Sequence, residues 1–262
     1  MQLSGTKVLL TGATGGLGHA MARALAARGA SLVLTGRRAE VLEPLAAELG
    51  AVAVGADLSD VADVERLGTE HAGVDAVVHN AAVPASGPLA EYTPEQIDRA
   101  VQVNLRAPIV LTRMLLPSWQ ERRRGHVVFI SSMSAKAPTA DASLYAATKL
   151  GLRGFSQGLR PELRPQGIGV STVFPGFIRG AGMFADTGVE LPRGVGTNTP
   201  EEVAAGVVKA IEHDRGEVDV APLSIRVSGR ANGLFPGIAG AVAARFGGDV
   251  GTQMADAQRT KR

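Results

Sequence analysis

Hydrophobic residues along the chain form short runs that alternate with longer amphipathic segments. The runs are rich in Val, Leu and Ile, whereas the segments between them space Ala, Leu and Arg as a helix would. We predict strands at 7–12, 31–36, 51–57, 74–80, 125–132, 168–176 and 217–222. We predict helices at 16–28, 39–49, from about 60, at 94–121, around Tyr145 and at about 200–213.

The arrangement of these elements indicates the fold class. Strands that are apolar throughout are buried on both faces, as in a parallel sheet. Alternation with helices predicts right-handed crossovers and a helix layer on each face. We therefore predict an α/β, doubly wound sheet of about seven mostly parallel strands. Residues 1–222 form the catalytic part of a single domain, and 223–262 form its C-terminal helical extension and tail.

Composition narrows the functional classes. The net charge of +2 over 262 residues is too small for a dedicated nucleic-acid binder. There is no cysteine, which excludes disulfides and thiolate chemistry and fits a reducing compartment. The five histidines lack metal-ligand spacing. The sequence begins without a signal-peptide pattern and contains no long uncharged apolar segment. We expect a soluble cytoplasmic protein with no metal, no nucleic-acid partner and no stable membrane insertion.

The first predicted strand leads into a glycine-rich turn, "TGATGGLG" at 11–18. Gly12, Gly16 and Gly18 let the backbone turn tightly and approach a pyrophosphate, and the following helix offers free N–H groups. The spacing differs from the more common G-x-G-x-x-G. Because the turn follows the first strand of an α/β pattern, we interpret it as a dinucleotide-binding turn.

The ends of the next two strands bear on which dinucleotide binds. The second strand ends at Gly36, Arg37 and Arg38, without the carboxylate that would bind the ribose 2′-hydroxyl of NAD. The two guanidiniums suit a 2′-phosphate. Alternatively, the two arginines are ordinary solvated residues at the start of the next helix. Asp57 follows the third strand and is placed to bind the adenine amine or to cap the next helix. The pattern favours NADP, with NAD as the alternative.

Tyr145 and Lys149 lie one helical turn apart in "YAATK". Residues at i and i+4 share a helix face, so the phenol and the ammonium are expected side by side. Taken alone, the pair fits either an ordinary surface contact or a tyrosine that acts as an acid or base because the cation lowers its pKa.

Several motifs occur together in one order along the chain. They are "TGATGGLG" at 11–18, "HNAA" at 79–82, Asn104 in "VNLRA", "ISS" at 130–132, "YAATK" at 145–149 and "PG" at 175–176. In this combination the chain, from about residue 4 to 222, resembles the short-chain dehydrogenase/reductase family. The resemblance implies a Rossmann-type fold and an NAD(P)-dependent oxidoreductase that interconverts a ketone or aldehyde with an alcohol.

The resemblance also implies a catalytic set. Tyr145 would be the general acid/base, and Lys149 would lower the pKa of Tyr145 and hold the nicotinamide ribose. Ser132 would bind the substrate carbonyl; it lies 13 residues before Tyr145, which favours it over Ser131 and Ser134. Asn104 would hold a water that links Lys149 to solvent.

Cofactor and partners follow from the same resemblance. The implied cofactor-binding residues are Gly12, Thr14, Gly15, Gly16, Leu17, Gly18, Arg37, Arg38, Asp57, Leu58, Asn80, Ala81, Tyr145, Lys149, Pro175, Gly176 and Ile178. The expected cofactor is NADP (NADPH), and the expected assembly is a homodimer or homotetramer. Residues 177–199 form a long segment after a strand's carboxyl end, which suits a mobile active-site lid. Their apolar side chains fit either a largely apolar carbonyl or alcohol substrate or the ordinary covering of the core.

The chain departs from the family pattern at a few positions. His79 and Ala82 replace an Asn and a Gly, and Gly180 stands where a threonine often binds the carboxamide. Pro161 falls within an expected continuous helix that usually contributes to the subunit interface.

Three other functions are compatible with the fold. They are an NAD-dependent alcohol dehydrogenase, a catalytically silent nucleotide-binding sensor, and a lyase or epimerase that acts on a nucleotide sugar. The retained Asn104, Ser132, Tyr145 and Lys149 disfavour the sensor. The short segment after the last strand disfavours the nucleotide-sugar enzyme.

Overall fold

A computed structural model describes residues 1–189, 191, 195–234 and 250–259 of the chain. One sheet of seven parallel strands lies at its centre, in the order β3-β2-β1-β4-β5-β6-β7. The strands are β1 Lys7–Thr11, β2 Ser31–Gly36, β3 Val52–Gly55, β4 Ala76–His79, β5 Gly125–Ile130, β6 Ile168–Pro175 and β7 Glu217–Val220. The predicted α/β, doubly wound parallel sheet is confirmed.

Helices connect the strands and extend beyond the last one. They are α1 Gly16–Ala26, α2 Ala39–Leu49, α3 Val61–Glu70, α4 Pro94–Val101, α5 Ala107–Arg122, α6 Ser143–Leu163, α7 Pro200–Glu212, α8 Leu223–Leu234 and α9 Val250–Gln258. The predicted bounds of β2 and α2 are the observed ones. No helix in the described ranges has the length and apolar content needed to span a bilayer.

The hydrophobic core consists of two layers, one on each face of the sheet. Successive strand residues point to opposite faces, so Val8 and Leu10 of β1 join one layer and Leu9 joins the other. The first layer is closed by α1, α2 and α7, and the second by α3, α4, α5 and α6. This burial on both faces explains why the central strands lack polar alternation.

The long helix predicted at 94–121 is interrupted in the structure. α4 and α5 are joined by a π-helical turn, Gln102–Arg106. Pro108, at the start of α5, has no N–H to donate to the carbonyl of Asn104 four residues earlier. The missing donor gives a physical reason for the wider turn, which contains a predicted site residue.

The C-terminal region contains the predicted helical extension, as α8 and α9. α8 packs beside the turn that follows β5, where the Asn232 Nδ2 donates to the Lys136 carbonyl at 3.0 Å. The frayed tail predicted at the end falls partly on 260–262, and 235–249 separate the two helices; both ranges lie outside the described residues. α6 continues through Pro161 and ends at Leu163.

Candidate active site

Tyr145 and Lys149 share one face of α6, as their spacing predicts. The Lys149 Nζ lies 5.7 Å from the centroid of the Tyr145 ring. Lys149 is only 3% exposed, and its Nζ donates a hydrogen bond of 2.9 Å to the carbonyl of Ile130 at the end of β5. Lys149 is therefore buried at the carboxyl end of the sheet and Tyr145 is partly buried beside it, so the pair is no ordinary surface contact.

Ser132 comes from the turn after β5 and forms a side-chain hydrogen bond with Tyr145. Ser134 donates to the Ser132 Oγ twice, from its N–H at 3.2 Å and its hydroxyl at 2.7 Å. The Ser132 oxygen thus accepts two bonds, which leaves its own hydrogen to point towards Tyr145. Ser131 has another role, since its hydroxyl donates to the Lys149 carbonyl at 2.9 Å. From the sequence, Ser134 was considered only as an alternative to Ser132. Its role in orienting Ser132 was not predicted, because its only signal was its closeness to Ser132 along the chain.

The electrostatics of the pair differ from the expectation. Burial raises the pKa of Tyr145 above its ordinary value, and the hydrogen bond with Ser132 acts weakly in the opposite direction. Burial also lowers the pKa of Lys149 to about 8. The predicted lowering of the Tyr145 pKa by Lys149 is absent from this structure, because the apolar surroundings oppose charge on both groups.

Asn104 is fully buried in the π-helical turn. Its amide oxygen accepts from the Val83 N–H at 2.8 Å, and its amide nitrogen donates to the Val83 carbonyl at 3.0 Å. Two residues further on, the Ala85 carbonyl accepts the Tyr145 N–H at 3.1 Å. Asn104 thereby fixes the loop after β4, which accepts the hydrogen bond from the Tyr145 N–H. Its main-chain carbonyl, which lacks the donor replaced by Pro108, is the group suited to a water.

The glycine-rich turn has the shape that a pyrophosphate requires. A Cβ on Gly12, whose φ is +66°, would lie 2.7 Å from the Ala81 Cα. A Cβ on Gly18 would overlap the Gly12 carbonyl, so α1 packs directly on β1. Gly15 is exposed, and α1 begins without a side-chain cap, so its first N–H groups are free for an anion. Thr14 and Leu17 complete this turn.

Thr11 holds the glycine-rich turn against the end of β4. Its hydroxyl accepts from the N–H groups of Asn80 and Ala81, both at 3.1 Å. The Asn80 side chain donates to the carbonyls of Thr11 at 3.1 Å and Gly12 at 2.9 Å. Asn80 therefore supports the nucleotide end of the sheet through hydrogen bonds to the glycine-rich turn. The role of Thr11 was not predicted, because a strand threonine carries no distinctive signal.

Arg37 and Arg38 make different contacts. Arg37 lies 3.8 Å from Asp57, between Nη1 and Oδ2, and both side chains are about half exposed. The Arg38 guanidinium donates instead to the Thr14 carbonyl and stabilises the glycine-rich turn. Burial opposes the charge of Asp57, but hydrogen bonds from Ser59 and the nearby Arg37 hold the pKa of Asp57 below its ordinary value. Leu58, the next residue, is buried.

The segment after β6 returns to the glycine-rich turn. Pro175 ends β6, the Gly176 N–H donates to the Val220 carbonyl at 2.9 Å, and Ile178 is buried in a bridge with Asn198. A Cβ on Gly16 would overlap the Ala181 methyl, so this segment packs directly on the start of α1. The predicted residues of the nucleotide end thus lie along one edge of the sheet.

Comparison with known proteins assigns the family. The family profile described as "short chain dehydrogenase" matches residues 6–190. Ketoacyl reductase HetN of Nostoc sp. is 37% identical over 227 residues, which cover 83% of this chain and 79% of that protein. Dehydrogenase/reductase SDR family member 7B of Xenopus tropicalis is 36% identical over 239 residues, covering 82% and 77%.

A solved structure from the same family has a similar fold. The short-chain dehydrogenase from Sphingobium yanoikuyae in complex with NADPH aligns with a TM-score of 0.77 and 29% identity, covering 88% of this chain and 96% of that one. The chain belongs to the short-chain dehydrogenase/reductase family. This short-chain dehydrogenase/reductase is accordingly an NAD(P)-dependent oxidoreductase.

The departures from the family pattern have local consequences. His79 is buried, stacks on Phe129 at 5.2 Å between ring centroids and contacts the Thr112 hydroxyl at 2.9 Å, and burial lowers its pKa to about 3. It is a neutral core residue. Gly180 adopts a φ of +80° with open space around it, so a threonine there would be strained by the backbone and not by crowding.

The lid predicted at 177–199 is described except for 190 and 192–194, which lie outside the described residues. The rings of Phe177 and Phe184 are in contact, with centroids 5.0 Å apart. Met133, Ala135 and Leu144, which flank the catalytic residues along the chain, are buried in hydrophobic clusters.

Proposed function

We propose that this enzyme is an NADP-dependent oxidoreductase that interconverts a ketone or aldehyde with an alcohol, with Tyr145 as general acid/base. The observation that carries the proposal is the meeting of Ser132, Tyr145 and Lys149 at the carboxyl end of β5. The neighbouring strands of the same sheet edge carry the glycine-rich turn, whose free N–H groups suit a dinucleotide.

Each side chain of the site would have a separate role in carbonyl reduction. Bound NADPH would supply the hydride that the carbonyl carbon receives. With the substrate bound, the single Ser132 hydroxyl hydrogen, which is directed at Tyr145 in this structure, would turn to the carbonyl oxygen, since Ser134 occupies the acceptor sites of Ser132. Tyr145 would give its proton to the same oxygen, and burial keeps that proton on the phenol at neutral pH. The Lys149 ammonium would stabilise the phenolate that remains, and Asn104 would hold the water through which the proton is replaced.

The preference for NADP rests on the end of β2. A Cβ on Gly36 would lie 2.7 Å from the Thr14 Cγ2, so a carboxylate side chain at position 36 would require Thr14 to move. Arg37 is exposed beside that position and suits a 2′-phosphate. Arg38 would contribute indirectly, through the Thr14 carbonyl. The NADPH in the Sphingobium yanoikuyae structure is consistent with this preference.

The proposed substrate is a small, largely apolar carbonyl compound or alcohol. Phe177 and Phe184 supply the apolar surface of the lid, and the relative HetN is described as a ketoacyl reductase. We further propose a cytoplasmic homodimer or homotetramer whose single domain consists of 1–222 and the C-terminal extension 223–262. Light scattering of the purified protein tests the assembly, because a monomer would contradict it.

A cofactor titration with a charge-reversal variant tests the preference. NADPH and NADH are titrated separately by fluorescence, and oxidation of each is followed with a panel of ketones. We expect tighter binding of NADPH, and Arg37→Asp should weaken NADPH binding at least tenfold while it changes NADH binding little. Arg113→Asp, an exposed arginine on α5, is the matched control. Equal affinities in the wild type would contradict the NADP preference, and NAD-dependent alcohol oxidation would then be the function to test.

A further inference from the structure

The turn after β5, residues 131–136, carries Ser132 and Ser134 and is held at both ends. At its start, the Ser131 hydroxyl donates to a carbonyl of α6 at 2.9 Å. At its end, Lys136 is held by its side chain, which is 9% exposed. The two serines lie between these ends, so the hydrogen bonds that join them depend on how both ends are fixed.

The Lys136 ammonium has three contacts at the end of the turn. Its Nζ donates to Glu217 at 2.7 Å and to Asp219 at 2.6 Å, and both carboxylates belong to β7. The same Nζ lies 3.9 Å from the centroid of the Phe174 ring, which is fully buried in β6. Two charge-assisted hydrogen bonds and an aromatic face therefore fix the position of the ammonium.

Glu217 connects this contact to α6, the helix of Tyr145. The Glu217 Oε1 accepts from the Arg153 Nε at 2.8 Å and from the Gln157 Nε2 at 3.0 Å. Arg153 follows Tyr145 by eight residues and lies on the same face of the helix, about two turns further on. Both ends of the turn 131–136 are therefore tied to α6, one directly and the other through Glu217.

The charges of this cluster are better suited to fixing geometry than to adding stability. Replacing a buried ion pair by apolar side chains of similar volume is often neutral for the free energy of unfolding. An apolar contact at position 136 would not define a direction, whereas hydrogen bonds from one ammonium to two carboxylates define both direction and distance. The cluster lies at the end of the turn that orients Ser132.

We propose that Lys136 is a positioning residue for catalysis. By fixing the end of the turn 131–136, it holds Ser134 where the Ser134 hydroxyl and N–H occupy the acceptor sites of Ser132. Ser132 then keeps its own hydrogen for the substrate carbonyl. This proposal rests on the proposed function, because it concerns the reaction assigned to Ser132 and Tyr145.

Lys136→Met tests the role of the ammonium. Methionine keeps the length of the side chain and its contact with Phe174, but it cannot bind the carboxylates. We expect kcat for ketone reduction to fall roughly tenfold, while KM and NADPH affinity stay within about twofold of the wild type. Lys136→Arg keeps the cation and should retain kcat within about threefold.

Arg28→Met, just after α1, is the matched control. It leaves the Glu212 carboxylate, 14% exposed, without its 2.9 Å ion pair. Lys136→Met does the same to the Asp219 carboxylate, which is 11% exposed. The control should lose similar stability and keep the wild-type kcat. A kcat of Lys136→Met within about twofold of the wild type, or an equal fall in Arg28→Met, would overturn the proposal.

A double-mutant cycle tests whether Lys136 acts through the serines. Ser134→Ala removes the hydroxyl that Lys136 places, so the double variant should lose roughly tenfold in kcat, as each single variant does, instead of roughly a hundredfold. Independent, multiplicative losses would overturn the proposal. If Lys136→Met does not fold, Glu217→Gln replaces it, because Asp219 still binds Lys136 and the link to Arg153 is weakened. Its expected loss is roughly threefold, and that loss should vanish in the Ser134→Ala background.

Hydrogen exchange supplies a readout that does not depend on turnover. Peptides that cover 131–142 should exchange faster in Lys136→Met than in Arg28→Met. If the wild type turns over no ketone, the proposed function fails, and this exchange comparison still decides whether Lys136 fixes the turn. Identical exchange of these peptides in the two variants would refute the role of Lys136.

Discussion

Replacing Lys149 by methionine should stabilise the fold while it abolishes turnover. Burial lowers the pKa of Lys149 from 10.5 to about 8, so at pH 7 the folded enzyme holds a charge that its surroundings oppose. At about 1.4 kcal/mol per pKa unit, that charge costs about 3 kcal/mol. Loss of the hydrogen bond to the Ile130 carbonyl offsets about 1 kcal/mol. We expect a net gain of about 2 kcal/mol, or roughly 4–8 °C in Tm.

The pH dependence of this gain follows from linkage. Below about pH 8 both the folded and the unfolded lysine are charged, so the unfavourable contribution of Lys149 is present in full. Between pH 8 and 10.5 the folded state releases its proton first, so the wild type becomes more stable relative to the variant by up to about 3 kcal/mol. The advantage of the variant is therefore lost and then reverses, because the variant still lacks the hydrogen bond to the Ile130 carbonyl, which contributes about 1 kcal/mol. Denaturant titrations without added nucleotide at pH 7, 9 and 10.5 measure the difference in free energy of unfolding between the wild type and Lys149→Met.

A second buried lysine supplies the matched control. The Lys136 side chain is 9% exposed, and its Nζ donates to Glu217 at 2.7 Å and Asp219 at 2.6 Å. Lys136→Met leaves Asp219 without this cation, whereas Glu217 keeps its ion pair with Arg153 at 2.8 Å. It should destabilise the fold by about 2 kcal/mol, less than the loss of a fully buried pair. A loss of stability in Lys149→Met, or a gain that does not change with pH, would refute the reasoning.

Three further predictions concern residues around the site. Asn104→Leu leaves two buried backbone groups unpaired and should cost about 2–5 kcal/mol by denaturant unfolding; no change in the midpoint would contradict its role in fixing the loop. Ser134→Ala should lower kcat roughly tenfold with little effect on Tm, because Ser132 loses a donor that orients it; unchanged kcat would contradict this. His79 and His126 are buried with pKa values lowered to about 3 and about 4, so the unfolded state takes up their protons first as the pH falls. Stability should therefore decrease by about 2 kcal/mol per histidine from pH 7 to 5, and an unchanged dependence in His79→Asn would exclude that residue as a cause.

The sheet and most helices could be predicted from the sequence because their signals are local. Apolar runs mark the strands, and glycines 12, 16 and 18 mark the turn at the end of β1. The interruption of the predicted 94–121 helix was missed although Pro108 lies in the middle of that segment, where a proline removes a backbone donor and disturbs the hydrogen-bond pattern. The form of the interruption, a π-helical turn that contains Asn104, is visible only in the structure.

Other features depend on contacts between distant parts of the chain. The spacing of Tyr145 and Lys149 predicted their shared face, but the rise in the Tyr145 pKa comes from burial by other elements. Arg38 was interpreted as a phosphate ligand, and its contact with the Thr14 carbonyl depends on how two loops meet. The contact between Gln258 of α9 and the Met183 carbonyl depends on how the C-terminal extension folds back, which composition alone does not show.

In the proposed mechanism, Tyr145 transfers the proton and Ser132 and Lys149 support the transfer. Tyr145→Phe removes the hydroxyl and little else, so the decisive measurement is single-turnover oxidation of bound NADPH by a ketone that the wild type reduces. We predict a rate at least a thousandfold lower, with NADPH affinity within a factor of about three. Turnover within about tenfold of the wild type would contradict the account.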